Sequence, residues 1–138
     1  MPEIFRHFQG FRKALASAFK QSCRSINLDM RQAAVLKALA DLGSSSAVDL
    51  CQATLLDPAT VNRTVAQSVV RGWIKQVKDP EDRRCCRLSL TALGAEQARL
   101  VLRQYRLLER KTFRPFSVEE RRRFSRDLER LTSYLKAS

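Results

Sequence analysis

The stretch of residues 73–94 constrains the fold of this chain more than any other part. It contains two apolar runs separated by a charged segment, and Asp79-Pro80 in that segment favours a turn, since Asp bonds the backbone ahead and Pro presets φ. Every second residue from Cys86 to Leu90 is apolar, which is the period of a half-buried strand. We therefore predict a β-hairpin over residues 73–90, with arginines at its tip and a helix after it.

Two short capped helices precede the hairpin. Ser46 and Asp49 have the spacing of a capping box, which predicts the start of one helix. Asp57 followed by Pro58 is typical of the start of another, predicted over residues 58–71. Two short helices joined by a tight turn form a helix-turn-helix, and the hairpin makes this unit winged.

The chain is strongly basic, with 26 Lys and Arg against 14 Asp and Glu and a formal charge of +12. Such a balance favours a polyanionic partner, with nucleic acid first and an anionic membrane surface second. No apolar stretch suits a leader or a membrane span, so we expect a cytoplasmic protein with no membrane partner. Four cysteines without a Cys-x-x-Cys pair, beside a single histidine, predict reduced thiols, no metal site and no cofactor.

Apolar stripes at helical spacing lie at both ends of the chain, outside the compact winged unit, and need burial. A second copy of the chain would bury them and would also place two winged units about one DNA turn apart. The predicted fold class is therefore mainly α with a small β-hairpin, a winged helix-turn-helix with N- and C-terminal dimerisation helices. The predicted regions are an N-terminal dimerisation helix (1–28), the winged DNA-binding region (29–91) and C-terminal dimerisation helices (92–138).

Several segments together carry a family resemblance, and they are Leu28–Leu36, Asp57–Arg63, Gly72–Ile74, Asp79–Arg84 and Leu90–Gly94. These segments resemble the MarR (multiple antibiotic resistance regulator) family of winged-helix transcription factors. The resemblance implies an obligate homodimer that binds pseudo-palindromic operator DNA, usually as a repressor. It also implies, as in many members, release by a small phenolic or lipophilic ligand, or by oxidation of a cysteine.

The predicted recognition helix, residues 58–71, offers polar side chains for DNA contacts. Arg63 suits guanine, and Asn62 or Gln67 suits adenine. Thr60, near the start of the helix, suits a phosphate. Thr64 and Ser68 lie on the opposite, core-facing side, where the family usually has larger apolar residues. Their hydroxyls are expected to bond back to the helix or to leave a looser core.

The predicted wing, residues 73–90, supplies the remaining DNA contacts. The resemblance implies that Arg84 is the wing arginine, which enters the minor groove, where the negative potential is strongest. Asp82 would orient it or brace the tip through a charge-assisted hydrogen bond. Four further cations are predicted to lie near phosphates, namely Lys75, Lys78, Arg83 and Arg87. The alternative for both elements is an ordinary solvated surface.

Cysteines and phenylalanines are candidates for control. Cys51 and Cys86 are predicted to be structural, whereas Cys23 and Cys85 are the redox candidates. Cys85 would point outward between Arg84 and Arg87, whose charges are expected to lower its pKa. The phenylalanines of the first helix would line an effector cavity or, alternatively, pack in the dimer core, and these are Phe8, Phe11 and Phe19.

The function expected from these features is that of a homodimeric, sequence-specific DNA-binding transcriptional regulator, a repressor released by a small molecule. Three alternatives stay open: a basic winged-helix protein that binds DNA or RNA with little sequence preference, a cysteine-based redox regulator, and an interaction module that has lost DNA binding. An enzyme is not expected, because the sequence offers no nucleophile with a base, no phosphate-binding loop and no metal-binding motif.

Overall fold

The computed structural model describes residues 2–82 and 84–138, and this part contains six helices and one antiparallel pair of strands. The order is α1 (Glu3–Ser25), α2 (Met30–Leu42), α3 (Ala47–Thr54), α4 (Pro58–Val70), β1 (Ile74–Lys78), β2 (Cys86–Leu90), α5 (Ala92–Thr112) and α6 (Val118–Ala137). The predicted mainly-α winged helix-turn-helix is confirmed. The chain divides into two compact units, Met1–Tyr105 and Arg106–Ser138.

Side-chain caps fix where the helices of the first unit begin. The predicted capping box of Ser46 and Asp49 is present at the start of α3, and Asp57 caps α4 as predicted. A further capping box, formed by Asp29 and Gln32, opens α2 and escaped the sequence analysis. Each cap supplies acceptors to amides that the first turn of a helix leaves without a partner.

An apolar core joins α2, α3, α4 and the hairpin. Leu50 of α3 and Val61 of α4 are fully buried, and Leu88 of β2 is 2% exposed. The core comprises Val35, Ala38, Leu39, Leu50, Val61, Val65, Ile74 and Leu88. The helix-turn-helix and the hairpin are therefore packed as one body.

Two hydroxyls lie inside this core on α4. Thr64 donates to the carbonyl oxygen of Thr60 at 2.8 Å, and Ser68 donates to that of Thr64 at 2.8 Å. Both side chains are at least 98% buried, and burying a hydroxyl without a partner costs free energy. The expectation that these hydroxyls bond back to the helix is confirmed.

Strand β2 lies between two partners. On one side it pairs with β1 in antiparallel register, with Ile74 opposite Leu90 and Lys78 opposite Cys86. On its other side Leu88 forms an isolated bridge with Ser45 in the α2–α3 loop, through two hydrogen bonds of 2.9 and 2.7 Å. The hairpin is thus held to the helical body by backbone bonds as well as by its apolar side chains.

The start of α5 is held against the base of the hairpin. Thr91 accepts a hydrogen bond from the amide of Gly94 at 3.0 Å and donates to the carbonyl of Gly72 at 2.5 Å. Gly94 packs so closely on the backbone of Trp73 that a Cβ at this position would overlap the Trp73 carbonyl. The Thr91-x-x-Gly94 sequence therefore has a physical reason, because only glycine fits this contact.

The second unit, Arg106–Ser138, turns from the last part of α5 into α6. Phe113, Phe116 and Phe124 form an aromatic cluster, with ring centroids 5.5–5.8 Å apart. A capping box of Ser117 and Glu120 opens α6. The cluster and the cap together define the turn between the two helices.

Replacing Gly94 tests the close contact with Trp73. We expect Gly94→Ala to lower the free energy of unfolding by roughly 1–3 kcal/mol, because the added methyl group forces the backbones apart. Urea denaturation followed by circular dichroism measures the change. Gly10→Ala is the matched control, since Gly10 lies in α1 with no atom near its missing Cβ. It should stabilise the protein by up to about 1 kcal/mol through helix propensity, and equal behaviour of the two variants would contradict the assignment.

Candidate nucleic-acid interface

The outer face of α4 carries three exposed polar side chains, Asn62, Arg63 and Gln67. Thr60 differs from the prediction, because it is only 8% exposed. Its hydroxyl donates to one carboxylate oxygen of Asp57 at 2.7 Å, and its amide donates to the other at 2.8 Å. Thr60 therefore belongs to the cap of α4, and its hydroxyl is engaged inside the protein instead of being available to a phosphate.

The cap of α4 extends to Arg63. The guanidinium donates to the hydroxyl oxygen of Thr60 at 3.5 Å, which is the outer limit of a hydrogen bond. Hydrogen bonds from the amide and hydroxyl of Thr60 hold the pKa of Asp57 below its ordinary value, and the charge of Arg63 adds a smaller effect. Asp57 is thus ionised at neutral pH, and through Thr60 it influences where Arg63 lies.

The hairpin presents cations and a braced tip. Lys75, Lys78 and Arg84 are exposed, while the predicted contact Arg83 lies outside the described residues. The carboxylate of Asp82 accepts a hydrogen bond from the backbone amide of Arg84 at 3.0 Å. Asp82 therefore braces the backbone from which the Arg84 side chain extends.

Arg87 was predicted to lie near a phosphate, but the structure places it against the helical body. Its guanidinium donates to the carbonyl oxygen of Ser44 at 2.7 Å and, through Nε, to the Ser44 hydroxyl at 3.3 Å. The side chain is partly buried, unlike those of Lys75 and Lys78. Two of the five N–H donors of Arg87 are thus engaged within the protein.

A groove of about 290 Å³ separates α4 from the hairpin. Asn62 borders it from α4, Gln76 from β1 and Arg84 from the hairpin tip, while Ser46–Val48 close the end formed by α3. The fold therefore brings the polar face of α4 and the arginine of the hairpin tip to one surface, although 22 positions separate Asn62 from Arg84 in the sequence.

Cys85 has an environment opposite to the one predicted. It is exposed, and its thiol donates to a carboxylate oxygen of Asp82 at 3.6 Å. The negative charge of Asp82 is the main cause that raises the pKa of Cys85 above its ordinary value, with Asp79 contributing less. The expectation that neighbouring arginines lower this pKa is wrong, because the Asp82 carboxylate lies within hydrogen-bonding distance of the sulfur and its charge has the largest effect.

The other cysteines are enclosed to different degrees. Cys23 is 1% exposed. Its pKa is raised mainly by burial and, to a smaller extent, by the charge of Asp29. Cys51 and Cys86 are partly buried, and Cys51 packs against the core. A raised pKa leaves less thiolate, which is the reactive form, so Cys23 and Cys85 both lack the environment of a sensitive thiol.

The three candidate phenylalanines do not share one environment. Phe19 is 9% exposed and its ring lies 4.5 Å from that of Tyr105. Phe8 and Phe11 are 54% and 39% exposed, on the same stripe as Ile4. Phe19 therefore belongs to the core of the first unit, while the other two lie on an open apolar surface.

A basic cavity near the end of α1 escaped the sequence analysis. It has a volume of about 400 Å³ and is lined by three cations, Lys20, Arg24 and Arg31, and by one carboxylate, Asp29, with Leu28 and Met30 as apolar walls. Lys20 and Arg24 are four residues apart on α1, and this spacing was the only signal in the sequence. Within residues 2–82 and 84–138 no cluster of metal-binding side chains occurs, and none of the described helices is long and apolar enough to cross a membrane.

Comparison with known proteins shows which family the winged region matches. The model of the MarR family matches residues 26–84. One similar protein is BpsR from Bordetella bronchiseptica, whose DNA binding is regulated by 6-hydroxynicotinic acid, and its sequence is 25% identical to this chain. The match covers 95% of this chain and 99% of that chain, and the two structures align with a TM-score of 0.83. Residues 26–84 therefore match the MarR family, and the chain is similar over nearly its whole length to solved regulators of that fold. MarR-family members are transcription regulators and not enzymes, as predicted.

Other solved structures share the fold of this chain. A probable transcriptional regulator from Pseudomonas aeruginosa is 26% identical, with coverage of 94% of this chain and 96% of that chain and a TM-score of 0.79. A mutant MarR from E. coli in complex with operator DNA shares the fold at 16% identity, with coverage of 93% and 92% and a TM-score of 0.80. No curated protein sequence matches the chain.

The effect of Asp82 on Cys85 can be measured directly. Asp82→Asn removes the charge that raises the pKa of the thiol, so we expect faster alkylation of Cys85 by iodoacetamide at pH 7.5. Peptide mass spectrometry after timed quenching follows Cys85 separately from the other cysteines. Asp79→Asn is the matched control and should accelerate the reaction less, because Asp79 has the weaker influence. An unchanged rate in Asp82→Asn would refute the electrostatic account.

Proposed function

We propose that this chain is a homodimeric transcriptional repressor that recognises a pseudo-palindromic operator. Its place of action in this proposal is the cytoplasm. The observation that carries the proposal is the groove bordered by both Asn62 and Arg84. A helix with exposed polar side chains fits the major groove, and a basic hairpin beside it can reach the adjacent minor groove. One surface of the protein thus supplies both kinds of contact.

Within this proposal the exposed side chains have distinct roles. Arg63 reads guanine, and Asn62 and Gln67 read adenine, because their donor and acceptor groups match those base edges. Arg84 enters the minor groove, where a narrow groove concentrates negative potential. Three cations lie near phosphates, namely Lys75, Lys78 and Arg83.

Dimerisation accounts for two apolar surfaces that the single chain leaves open. In the first unit Ile4, Phe5, Phe8 and Phe11 form a stripe on α1, with 39–80% of each residue exposed. In the second unit four residues of α6 are 42–73% exposed, and these are Leu128, Leu131, Tyr134 and Leu135. Apolar surface of this kind marks an interaction site, and a second copy of the chain is the partner that the resemblance to the family favours.

A small aromatic acid is the effector that we propose for release from DNA. The cavity of Lys20, Arg24 and Arg31 has cations for a carboxylate and apolar walls for a ring. BpsR, at 25% identity, is the neighbour whose DNA binding 6-hydroxynicotinic acid regulates. Phe8 and Phe11 then contribute to the dimer surface, and Phe19 packs on Tyr105 in the core of the first unit.

The second candidate function is binding of DNA or RNA with little sequence preference, which the charge of +12 favours. Selection of bound sequences from random duplexes distinguishes the two. We expect enrichment of an inverted repeat by the purified protein, together with a dimer mass in light scattering. Absence of any enriched sequence would favour the second candidate and contradict the operator proposal.

Substitution of Arg63 and Arg84 separates base reading from groove binding. Arg63→Ala should weaken binding to the enriched duplex by roughly 1–3 kcal/mol and relax the base preference at one position. Arg84→Ala should weaken binding and reduce the slope of log K against log salt by about one counterion. Fluorescence anisotropy across a salt series measures both effects. Equal losses on enriched and random duplexes would exclude base reading by Arg63, and unchanged affinity in Arg84→Ala would exclude the hairpin tip.

The effector proposal is tested with 6-hydroxynicotinic acid as the probe. We expect it to lower affinity for the enriched duplex and to bind the free protein in calorimetry, and Arg24→Met should weaken that binding because a cation beside the carboxylate is lost. Arg99→Met, which removes a cation from α5 away from this cavity, is the control. Binding that is unaffected by Arg24→Met would place the ligand elsewhere.

A further inference from the structure

Arg87 connects the hairpin to the helical body at a point where backbone pairing is short. Ser45 and Leu88 are joined by only two backbone hydrogen bonds. Ser44 directly precedes Ser45 in the chain, and Arg87 directly precedes Leu88. The guanidinium of Arg87 reaches across and donates to the Ser44 carbonyl at 2.7 Å and to its hydroxyl at 3.3 Å. The two residues joined by these bonds are 43 positions apart in the sequence, so the bonds link two segments that are not neighbours along the chain.

The same side chain is electrostatically coupled to the start of α3. Hydrogen bonds from the amide and hydroxyl of Ser46 hold the pKa of Asp49 below its ordinary value, and the charge of Arg87 adds to this effect. Asp49 is the acidic member of the capping box of α3. Arg87 therefore interacts with the α2–α3 loop and with the cap of the helix that follows it.

From this arrangement we propose that Arg87 is a positioning residue, which sets the hairpin relative to the helix-turn-helix so that Arg84 and the polar face of α4 fit DNA together. Arginine suits this role because its planar guanidinium can donate to two acceptors at once, whereas lysine offers a single flexible ammonium group. The Ser44 contacts use two of the five N–H donors of Arg87 and hold its guanidinium against the α2–α3 loop. The contact between Arg87 and Ser44 does not depend on the proposed DNA-binding function, whereas the effect of that contact on the fit to DNA rests on it.

Amide hydrogen exchange in the free protein tests the contact without DNA. In Arg87→Met we expect the amides of Ser45 and Leu88 to exchange about tenfold faster, because loss of a charge-assisted bond favours local opening. In Arg87→Lys we expect a smaller acceleration. Lys75→Met is the matched control, since it removes one charge from the other strand of the hairpin, and it should leave both amides protected. Unchanged exchange in Arg87→Met would overturn the proposal.

Binding to the enriched duplex separates positioning from phosphate contact. A positioning role predicts that Arg87→Lys loses affinity severalfold although the charge is retained, whereas a phosphate-binding residue would tolerate this change. Full affinity in Arg87→Lys would therefore overturn the proposal. If the wild-type protein enriches no sequence, the operator proposal fails, while the exchange experiment still decides whether Arg87 holds the hairpin.

Discussion

The docking of β2 against the helical body is the interaction on which the rest of the structure depends. Leu88 is 2% exposed in the core of α2, α3 and α4, and its backbone pairs with Ser45 in the α2–α3 loop. Full burial of a leucine side chain contributes about 1.5–3 kcal/mol. Because β2 is held in this way, β1 and the hairpin tip acquire a defined place beside α4, and the groove between Asn62 and Arg84 follows from it.

The same arrangement explains several local choices of residue. Glycine is required at position 94, because α5 begins against the backbone of Trp73 at the base of the hairpin. Thr64 and Ser68 are tolerated in the core since each hydroxyl bonds to a carbonyl of its own helix. The polar residues of the winged unit that are buried thus keep their partners, and the exposed ones remain available to a ligand.

Sequence patterns predicted the elements that depend on local chemistry. The caps at Ser46 and Asp57 were predicted correctly, because a capping side chain and its amide partner lie three residues apart. The core face of α4 followed from helical periodicity. The capping box of Asp29 and Gln32 was missed, although its spacing is equally local.

The predictions from sequence were wrong where a side chain contacts a residue distant in the chain, as Arg87 contacts Ser44, or where charges of both signs surround one group in a turn, as at Cys85. The sequence by itself determined the fold class, the helix starts, the alternation of β2 and the family resemblance, since these depend on spacing along one segment. Tertiary structure alone decided that Arg87 bonds to Ser44, that Phe19 packs on Tyr105 and that the carboxylate of Asp82, more than the nearby cations, controls Cys85. The physical reason is distance: hydrogen bonds and charges act over a few ångströms, and only the folded chain sets which groups come that close.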